Sequence, residues 1–194
     1  DRITGGLYMS TNAGQSWQVV DTGRCDDVVC YPSGDSIYAV GSGTGYIRST
    51  DGGRTFHRNS SLTLGKRNHI AICKSDPRVL YFLEWTPGRG YFRIYKSTDG
   101  GEHFALKNSS VSTTYPWGPE VDGMGDYCLV IHVSPFDPDY VYVGNLNLWK
   151  STNGGDSFSI IGGYNGTMHP DFHNLDFHPT DPYKMFCVND GGVW

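Results

Sequence analysis

Three residues near the C-terminus have the types and the spacing of a metal or substrate site. His169, Asp171 and His173 alternate along the chain, and residues two apart in an extended segment point the same way. Converging imidazole and carboxylate groups are typical ligands of a transition metal. A complete site needs a further ligand from another loop, for which Asp126 and His69 are the candidates. A hydrogen-bonded turn without a metal is the competing interpretation, and apart from a divalent cation here the sequence indicates no cofactor.

A second group of candidate residues combines aromatic rings with carboxylates, which is the chemistry of a sugar-binding surface. The ring stacks on the apolar face of a sugar while polar groups bind its hydroxyls. The longest irregular stretch, residues 108–127, carries several of these groups. The candidate ligand-binding residues are Arg67, Trp85, Arg89, Tyr115, Trp117, Glu120, Asp122, Asp126, His169, Asp171 and His173. Alternatively, Tyr115 and Trp117 plug a central channel as structural residues.

The elements that must position these residues are indicated by an eight-residue pattern that occurs four times. Its form is Ser-x-(Asp/Asn)-x-Gly-x-x-(Trp/Phe), and each copy is called a repeated turn below. Asp or Asn followed by Gly predicts a tight hairpin, because the short side chain hydrogen-bonds nearby amides while Gly accepts positive φ. The four copies, at 10–17, 49–56, 97–104 and 151–158, place these structural residues: Ser10, Asn12, Gly14, Trp17, Ser49, Asp51, Gly53, Phe56, Ser97, Asp99, Gly101, Phe104, Ser151, Asn153, Gly155 and Phe158.

Short alternating runs flank the repeated turns and predict antiparallel strands. One run directly precedes each turn, as at 46–48, and two more lie around a turn rich in Pro and Asp, as at 75–77. With a fourth strand after the repeated turn, this order is that of one propeller blade. We therefore expect an all-β fold in which residues 1–194 are a single β-propeller segment. About four blades of four antiparallel strands are present, as part of a larger propeller.

The repeated turns resemble the Asp boxes, or BNR repeats, of sialidases, sortilin-type receptors, xyloglucanases and uncharacterised secreted bacterial surface proteins. Two longer stretches, 125–155 and 169–192, are similar to phrases common in large secreted proteins of this kind, so the similarity covers essentially the whole chain. The resemblance implies that the repeated turns lie on one face, away from the ligand. It also implies that the loops between blades line the opposite face, which is called the mouth below. It predicts the fold better than the activity.

The mouth loops also bear on whether the chain is an enzyme. A glycoside hydrolase needs two carboxylates that face each other across a cleft, and Glu120, Asp122 and Asp126 are the candidates. The resemblance to sialidases adds the requirement of an arginine cluster for the substrate carboxylate. The arginines that fall in mouth loops are Arg24, Arg67 and Arg89. Neither catalytic pattern is complete, so the sequence leaves the question open and favours a role without catalysis.

The composition is typical of an extracellular, turn-rich domain. The chain has 194 residues, of which 14% are aromatic, 18% are charged and 26 are glycine, and this suits an all-β body with a sizeable core. A net charge of −5 without a basic stripe argues against nucleic acid as a partner. No apolar segment has the length of a membrane span or the form of a signal peptide. We expect a mature or truncated piece of a secreted or cell-surface protein.

Sequons and cysteines bear on the same extracellular interpretation. Asn-x-Ser/Thr sequons at Asn59, Asn108 and Asn165 each follow a repeated turn and predict a glycoprotein, although Asn-Ser also suits a strand-ending turn. The five cysteines leave at least one unpaired, and no pair has metal-type spacing. Cys25 and Cys128 flank strand starts and are disulfide candidates in a secreted protein.

Together these patterns predict a non-catalytic, secreted or cell-surface propeller that recognises an extracellular glycan or protein through the loops opposite the repeated turns. One alternative is a sialidase-like or endo-glucanase-like glycoside hydrolase with its carboxylates in the same loops. Another is a structural unit of an extracellular filament or surface layer. The remaining propeller blades or neighbouring subunits are expected as further partners.

Overall fold

The computed structural model describes residues 5–60, 62, 64–86, 91–109, 125–164 and 166–194. Within these ranges the regular elements are seventeen β-strands. They are β1 Leu7–Met9, β2 Gln18–Asp21, β3 Asp27–Cys30, β4 Ile37–Gly41, β5 Gly45–Ser49, β6 His57–Asn59, β7 Arg67–Ile72, β8 Leu80–Thr86, β9 Tyr91–Ser97, β10 Ala105–Ser109, β11 Val130–Val133, β12 Val141–Gly144, β13 Leu148–Ser151, β14 Ser159–Gly162, β15 Phe172–Phe177, β16 Met185–Asn189 and β17 Gly192–Val193. None of these described segments is a helix of the length and apolarity needed to span a membrane.

The strands pair in chain order into antiparallel sheets, numbered I to V here. Sheet I is β1–β2, sheet II is β3–β6, sheet III is β7–β10, sheet IV is β11–β14 and sheet V is β15–β17. Sheets II, III and IV are complete four-stranded blades, and the sheets follow one another as the blades of a β-propeller. The predicted fold class is confirmed.

The repeated turns are closed by their own side chains, as their sequence predicts. In sheet II, Ser49 Oγ accepts a hydrogen bond from the Gly53 amide at 2.8 Å and donates one to Asp51 Oδ1 at 2.7 Å. The Asp51 carboxylate also accepts hydrogen bonds from the hydroxyl and the amide of Thr55, which lower its pKa. The other three repeated turns have the same serine-to-amide bond, at 2.8, 2.9 and 2.9 Å.

Backbone hydrogen bonds place the repeated turns on the same face as the turns that join the first two strands of each sheet. The bonds run from the Gly52 amide to Asp35 O at 2.9 Å, from Gly100 to Arg78 O at 2.9 Å and from Gly154 to Asp139 O at 3.0 Å. Because strands alternate in direction, the loops between second and third strands and the loops between sheets lie on the opposite face. That face is the mouth, and the other is called the turn face.

The core lies between neighbouring sheets, so central strands are buried on both sides. In β8, Leu80 to Trp85 are all buried, and Leu80 and Phe82 pack towards sheet II while Tyr81 and Leu83 pack towards sheet IV. Trp85 is 1% exposed and is a core residue. The predicted role of Trp85 in ligand binding is corrected, because β8 extends to Thr86 and Trp85 is buried within it.

The aromatic residue that ends each repeated turn packs towards the preceding sheet. Phe104 meets Tyr46 of sheet II edge-on with ring centroids 5.3 Å apart, and Phe158 is buried in the core between sheets III and IV. Trp17 differs, because it belongs to the two-stranded sheet I and is 62% exposed. The outer sides of sheets I and V also expose Val19 and Phe186.

Candidate functional site at the mouth

Three side chains from sheets IV and V meet at the mouth and are called the Tyr127 cluster. The Tyr127 hydroxyl lies 3.1 and 3.0 Å from the two carboxylate oxygens of Asp190. His173 Nε2 lies 2.6 Å from Asp190 Oδ1. The rings of Tyr127 and His173 meet edge to face, with centroids 5.0 Å apart at 87°. Tyr127 is 52% exposed, so an accessible aromatic ring is held in a fixed orientation.

The hydrogen bonds of the Tyr127 cluster set its charge state. The bond to His173 lowers the pKa of Asp190, and the Tyr127 hydroxyl adds to this effect. The same hydroxyl-to-carboxylate bond raises the pKa of Tyr127. At neutral pH the cluster therefore presents an ionised carboxylate beside a protonated phenol, and His173 donates its Nε2 proton to Asp190. This arrangement offers an apolar ring face and a hydrogen-bond acceptor side by side.

Three basic residues described at the mouth are already engaged. Lys66 forms an ion pair with the Asp126 carboxylate. Arg67 donates a hydrogen bond to the Asp126 carbonyl oxygen and another to His69 Nε2 at 3.2 Å. Arg24 is paired with Asp26 at 2.9 Å. The arginines that the structure describes at the mouth therefore bind groups of the protein itself and do not converge as a carboxylate-binding cluster.

The structure does not assemble His169, Asp171 and His173 as ligands of one ion. His169 Nδ1 lies 3.0 Å from the Pro170 carbonyl oxygen, Asp171 Oδ1 accepts a hydrogen bond from Cys128 Sγ at 3.5 Å, and His173 is bound to Asp190. Asp171 has a φ of 66°, so the segment is not extended and the alternation of side chains is lost. Within the described part of the chain, no group of three His, Cys, Asp or Glu residues is placed to hold a metal ion.

A central cavity of about 450 Å³ is lined by the innermost strands of sheets II to V. Imidazole groups bridge neighbouring sheets along its wall. His69 Nδ1 lies 3.2 Å from Asp27 Oδ2, and His132 Nε2 lies 3.1 Å from Asn174 Oδ1. Burial lowers the pKa of His132, which favours its neutral form. His173 also lines the cavity, so the Tyr127 cluster lies where the cavity meets the mouth.

Two of the predicted glycosylation residues connect neighbouring sheets. Asn59 Nδ2 donates a hydrogen bond to the Glu102 carbonyl oxygen at 2.9 Å, and Asn108 Nδ2 donates one to the Asp156 carbonyl oxygen at 3.1 Å. Both acceptors are the sixth residue of the next repeated turn. The nitrogen that would carry a glycan thus has a structural contact at both places. Asn165 lies outside the described residues.

The five cysteines are all free thiols, including the disulfide candidates Cys25 and Cys128. Burial, together with the neighbouring carboxylate of Asp171, raises the pKa of Cys128 to about 12. Burial also raises the pKa of Cys25. These thiols are therefore protonated at neutral pH and are weak nucleophiles.

The predicted site residues fall into three groups in the structure. Arg67, Asp126, His169, Asp171 and His173 lie at the mouth, as expected. Trp85 is in the core, as described above. The following predicted residues lie outside the described part of the chain: Arg89, Tyr115, Trp117, Glu120 and Asp122.

Tyr127 ends the aromatic-rich stretch 108–127, but neither it nor Asp190 is among the predicted ligand-binding residues. Asp190 follows the second strand of its sheet in an Asn-Asp-Gly-Gly segment, and the loop after a second strand opens on the mouth. That position is the feature of the sequence that could have indicated Asp190 as a site residue. The contact between Asp190 and Tyr127, which is 63 residues away, cannot be predicted from the residue spacing.

A scan against protein-family models finds no match for this chain, and a search of curated proteins also finds none. Solved structures are similar in fold. The GH74 xyloglucanase from Xanthomonas campestris has a TM-score of 0.67 and 18% identity over 99% of this chain and 33% of its own. The Niastella koreensis GH74 enzyme has a TM-score of 0.66 and 19% identity over 97% of this chain and 30% of its own.

A further solved β-propeller is also similar. YCF48 from Cyanidioschyzon merolae has a TM-score of 0.60 and 15% identity over 98% of this chain and 62% of its own. This chain thus spans about a third of the two GH74 enzymes and less than two thirds of YCF48. At these identities the likeness establishes a β-propeller fold and nothing about activity.

Proposed function

We propose that this chain is a recognition module of the Asp-box type, secreted or displayed at a cell surface, that binds a glycan through its mouth without catalysis. The observation that carries the proposal is the Tyr127 cluster. An exposed ring, fixed by hydrogen bonds to Asp190 and by contact with His173, is the kind of platform on which a sugar stacks. The Asp190 carboxylate beside it accepts hydrogen bonds from sugar hydroxyls.

The charges at the mouth favour a neutral glycan over an acidic one. Recognition of a sialate or uronate requires basic groups that are available to the ligand carboxylate. Lys66, Arg67 and Arg24 instead bind Asp126 and Asp26. An anionic sugar would have to displace these partners, and the Asp190 carboxylate would repel it. A neutral ligand meets neither obstacle.

The glycoside hydrolase alternative is supported by the fold of the GH74 neighbours, and propellers carry binding and catalysis alike. Its candidate carboxylates are Glu120, Asp122 and Asp126, of which Asp126 is ion-paired with Lys66. The structural-unit alternative draws on the apolar outer sides of sheets I and V, where Val19 and Phe186 are exposed. Further blades or neighbouring subunits are the partners that such surfaces would suit.

The test is a screen of neutral, acidic and amino oligosaccharides, followed by titration calorimetry with the strongest neutral ligand. Tyr127→Ala should weaken binding at least tenfold, which corresponds to about 1.4 kcal/mol. Tyr183→Ala is the matched control, because Tyr183 is 95% exposed but lies in a turn of the turn face. Equal affinity of the two variants, or a screen without a neutral ligand, would refute the proposal.

A second readout separates binding from hydrolysis. Release of reducing ends from the bound polysaccharide, abolished by Glu120→Gln or Asp122→Asn, would establish the hydrolase instead. The proposed module leaves the polysaccharide intact, so neither the wild type nor either variant should release reducing ends.

A further inference from the structure

Two buried asparagines are placed next to the residues of the Tyr127 cluster. Asn145 directly follows β12 and is 1% exposed, while Asn189 ends β16 and is 4% exposed. Both therefore stand after the second strand of their sheet, where the chain turns at the mouth. A buried amide is costly unless its donors and acceptor are used, so its partners show what the residue does.

Asn145 fixes the chain on both sides of the junction between sheets IV and V. Its Nδ2 donates a hydrogen bond to the Cys128 carbonyl oxygen at 2.9 Å, and its Oδ1 accepts one from the Leu146 amide at 2.6 Å. Its backbone carbonyl oxygen accepts a hydrogen bond from the Phe172 amide at 2.8 Å. Cys128 is the neighbour of Tyr127, and Phe172 is the neighbour of His173. The side chain of Asn145 thus holds the backbone next to Tyr127, and its main chain holds the backbone next to His173.

Asn189 fixes the third member in the same way. Its Nδ2 donates a hydrogen bond to the His169 carbonyl oxygen at 2.8 Å. Its Oδ1 accepts hydrogen bonds from the Gly191 amide and from Trp194 Nε1, both at 2.9 Å. Asp190 lies between Asn189 and Gly191, so its backbone is restrained on both sides.

We propose that Asn145 and Asn189 are positioning residues that preorganise the Tyr127 cluster for its ligand without touching that ligand. The ligand is the glycan of the proposed function, on which this inference rests. Ordering a loop on binding costs affinity, and two buried asparagines that are hydrogen-bonded to the loop backbone reduce that cost beforehand. Their loss should loosen the cluster while the sheets stay folded.

The chain supplies a matched control in sheet II. Thr44 is fully buried in the loop after β4, and its Oγ1 donates a hydrogen bond to the Gly23 carbonyl oxygen at 2.9 Å. It restrains a mouth loop as the asparagines do, but none of its described bonds reaches the Tyr127 cluster. Thr44→Val removes this bond and keeps the shape of the side chain.

The experiment follows Tyr127 directly in the folded variants Asn145→Leu, Asn189→Leu and Thr44→Val, by NMR of protein with labelled tyrosine rings. Leu is close to Asn in size, lacks the donor and the acceptor, and adds no charge. In the wild type the bond to Asp190 raises the pKa of the Tyr127 hydroxyl, and in both asparagine variants this pKa should move back towards the ordinary value of about 10. In Thr44→Val it should stay where it is in the wild type.

Affinity for the neutral oligosaccharide selected by the screen is the second readout. Both asparagine variants should bind at least fivefold more weakly than Thr44→Val, measured well below the unfolding temperature of each. If either Leu variant does not fold, Asn145→Ser or Asn189→Ser takes its place. An unchanged Tyr127 titration in the asparagine variants would overturn the inference.

The two proposals fail in different ways. If Tyr127→Ala leaves glycan binding intact while the asparagine variants still alter the Tyr127 titration, the proposed function is wrong and the positioning role stands. If Tyr127→Ala abolishes binding but the asparagine variants change neither readout, the site is correct and the positioning role is wrong.

Discussion

Replacing the serine of a buried repeated turn should cost far more stability than replacing the serine of an exposed one. Ser151 is buried, and its Oγ accepts the Gly155 amide at 2.9 Å and donates to Asn153 Oδ1 at 2.9 Å. Ser151→Ala leaves the buried Gly155 amide without this acceptor. An unpaired buried donor costs about 1–3 kcal/mol, so we expect a loss of about 2 kcal/mol in the free energy of unfolding.

Ser10→Ala is the control, since the bonds are alike and only the burial differs. Ser10 Oγ accepts the Gly14 amide at 2.8 Å and donates to Asn12 Oδ1 at 3.0 Å, in an exposed turn. Water replaces the lost hydroxyl there, so the cost should stay below about 1 kcal/mol.

Urea unfolding followed by tryptophan fluorescence measures both losses, provided that the m-value is unchanged. In a chain of this size, a loss of about 2 kcal/mol lowers the unfolding temperature by about 4–8 °C. Equal losses for the two serines would refute the reasoning, because burial would then not decide what the bond contributes.

Three further predictions concern the repeated turns and the central cavity. Ala13 has a φ of 56° where Gly52 occupies the same position of the next turn, so Ala13→Gly should stabilise the chain by about 0.5 kcal/mol and Gly52→Ala should destabilise it, as urea unfolding will show. Phe158→Ala should cost about 3–5 kcal/mol, whereas the exposed ring of Trp17 makes Trp17→Ala cost less than about 1 kcal/mol; equal costs would contradict the burial argument. Burial lowers the pKa of His132 in the folded chain. The stability that depends on a neutral His132 is therefore fully present above about pH 6.5 and is lost as the pH falls through the folded-state pKa. Between pH 7 and pH 5 the free energy of unfolding should decrease less in His132→Asn than in the wild type, measured by unfolding at each pH.

The fold was predictable because its determinants are local and repeated. A serine, a short acidic or amide side chain and a glycine lie within five residues of one another, and their hydrogen bonds close the turn without help from distant parts of the chain. Four such turns, with alternating strands between them, are typical of a repeat architecture such as the β-propeller. The division into a turn face and a mouth follows from strand direction alone.

The site was less predictable because its contacts join residues that are far apart in sequence. Tyr127 and Asp190 are brought together by the packing of sheets IV and V, and no local pattern encodes that pairing. The position of Trp85 was hard to predict for another reason. β8 lies between two neighbouring sheets and is buried on both faces, so its sequence does not alternate between apolar and polar residues and does not show where the strand ends. His169, Asp171 and His173 do not point the same way, because the positive φ of Asp171 interrupts the extended segment that the sequence suggested.

Hydroxyl-radical footprinting with the bound oligosaccharide tests the central claim, that the glycan binds at the mouth and that the turn face has a structural role only. Tyr127 and Tyr183 are both exposed tyrosines, one on each face, so a single experiment compares them in the same molecule. The account predicts that saturating ligand slows oxidation of Tyr127 several-fold and leaves that of Tyr183 unchanged. Protection of Tyr183 with Tyr127 unprotected would contradict it.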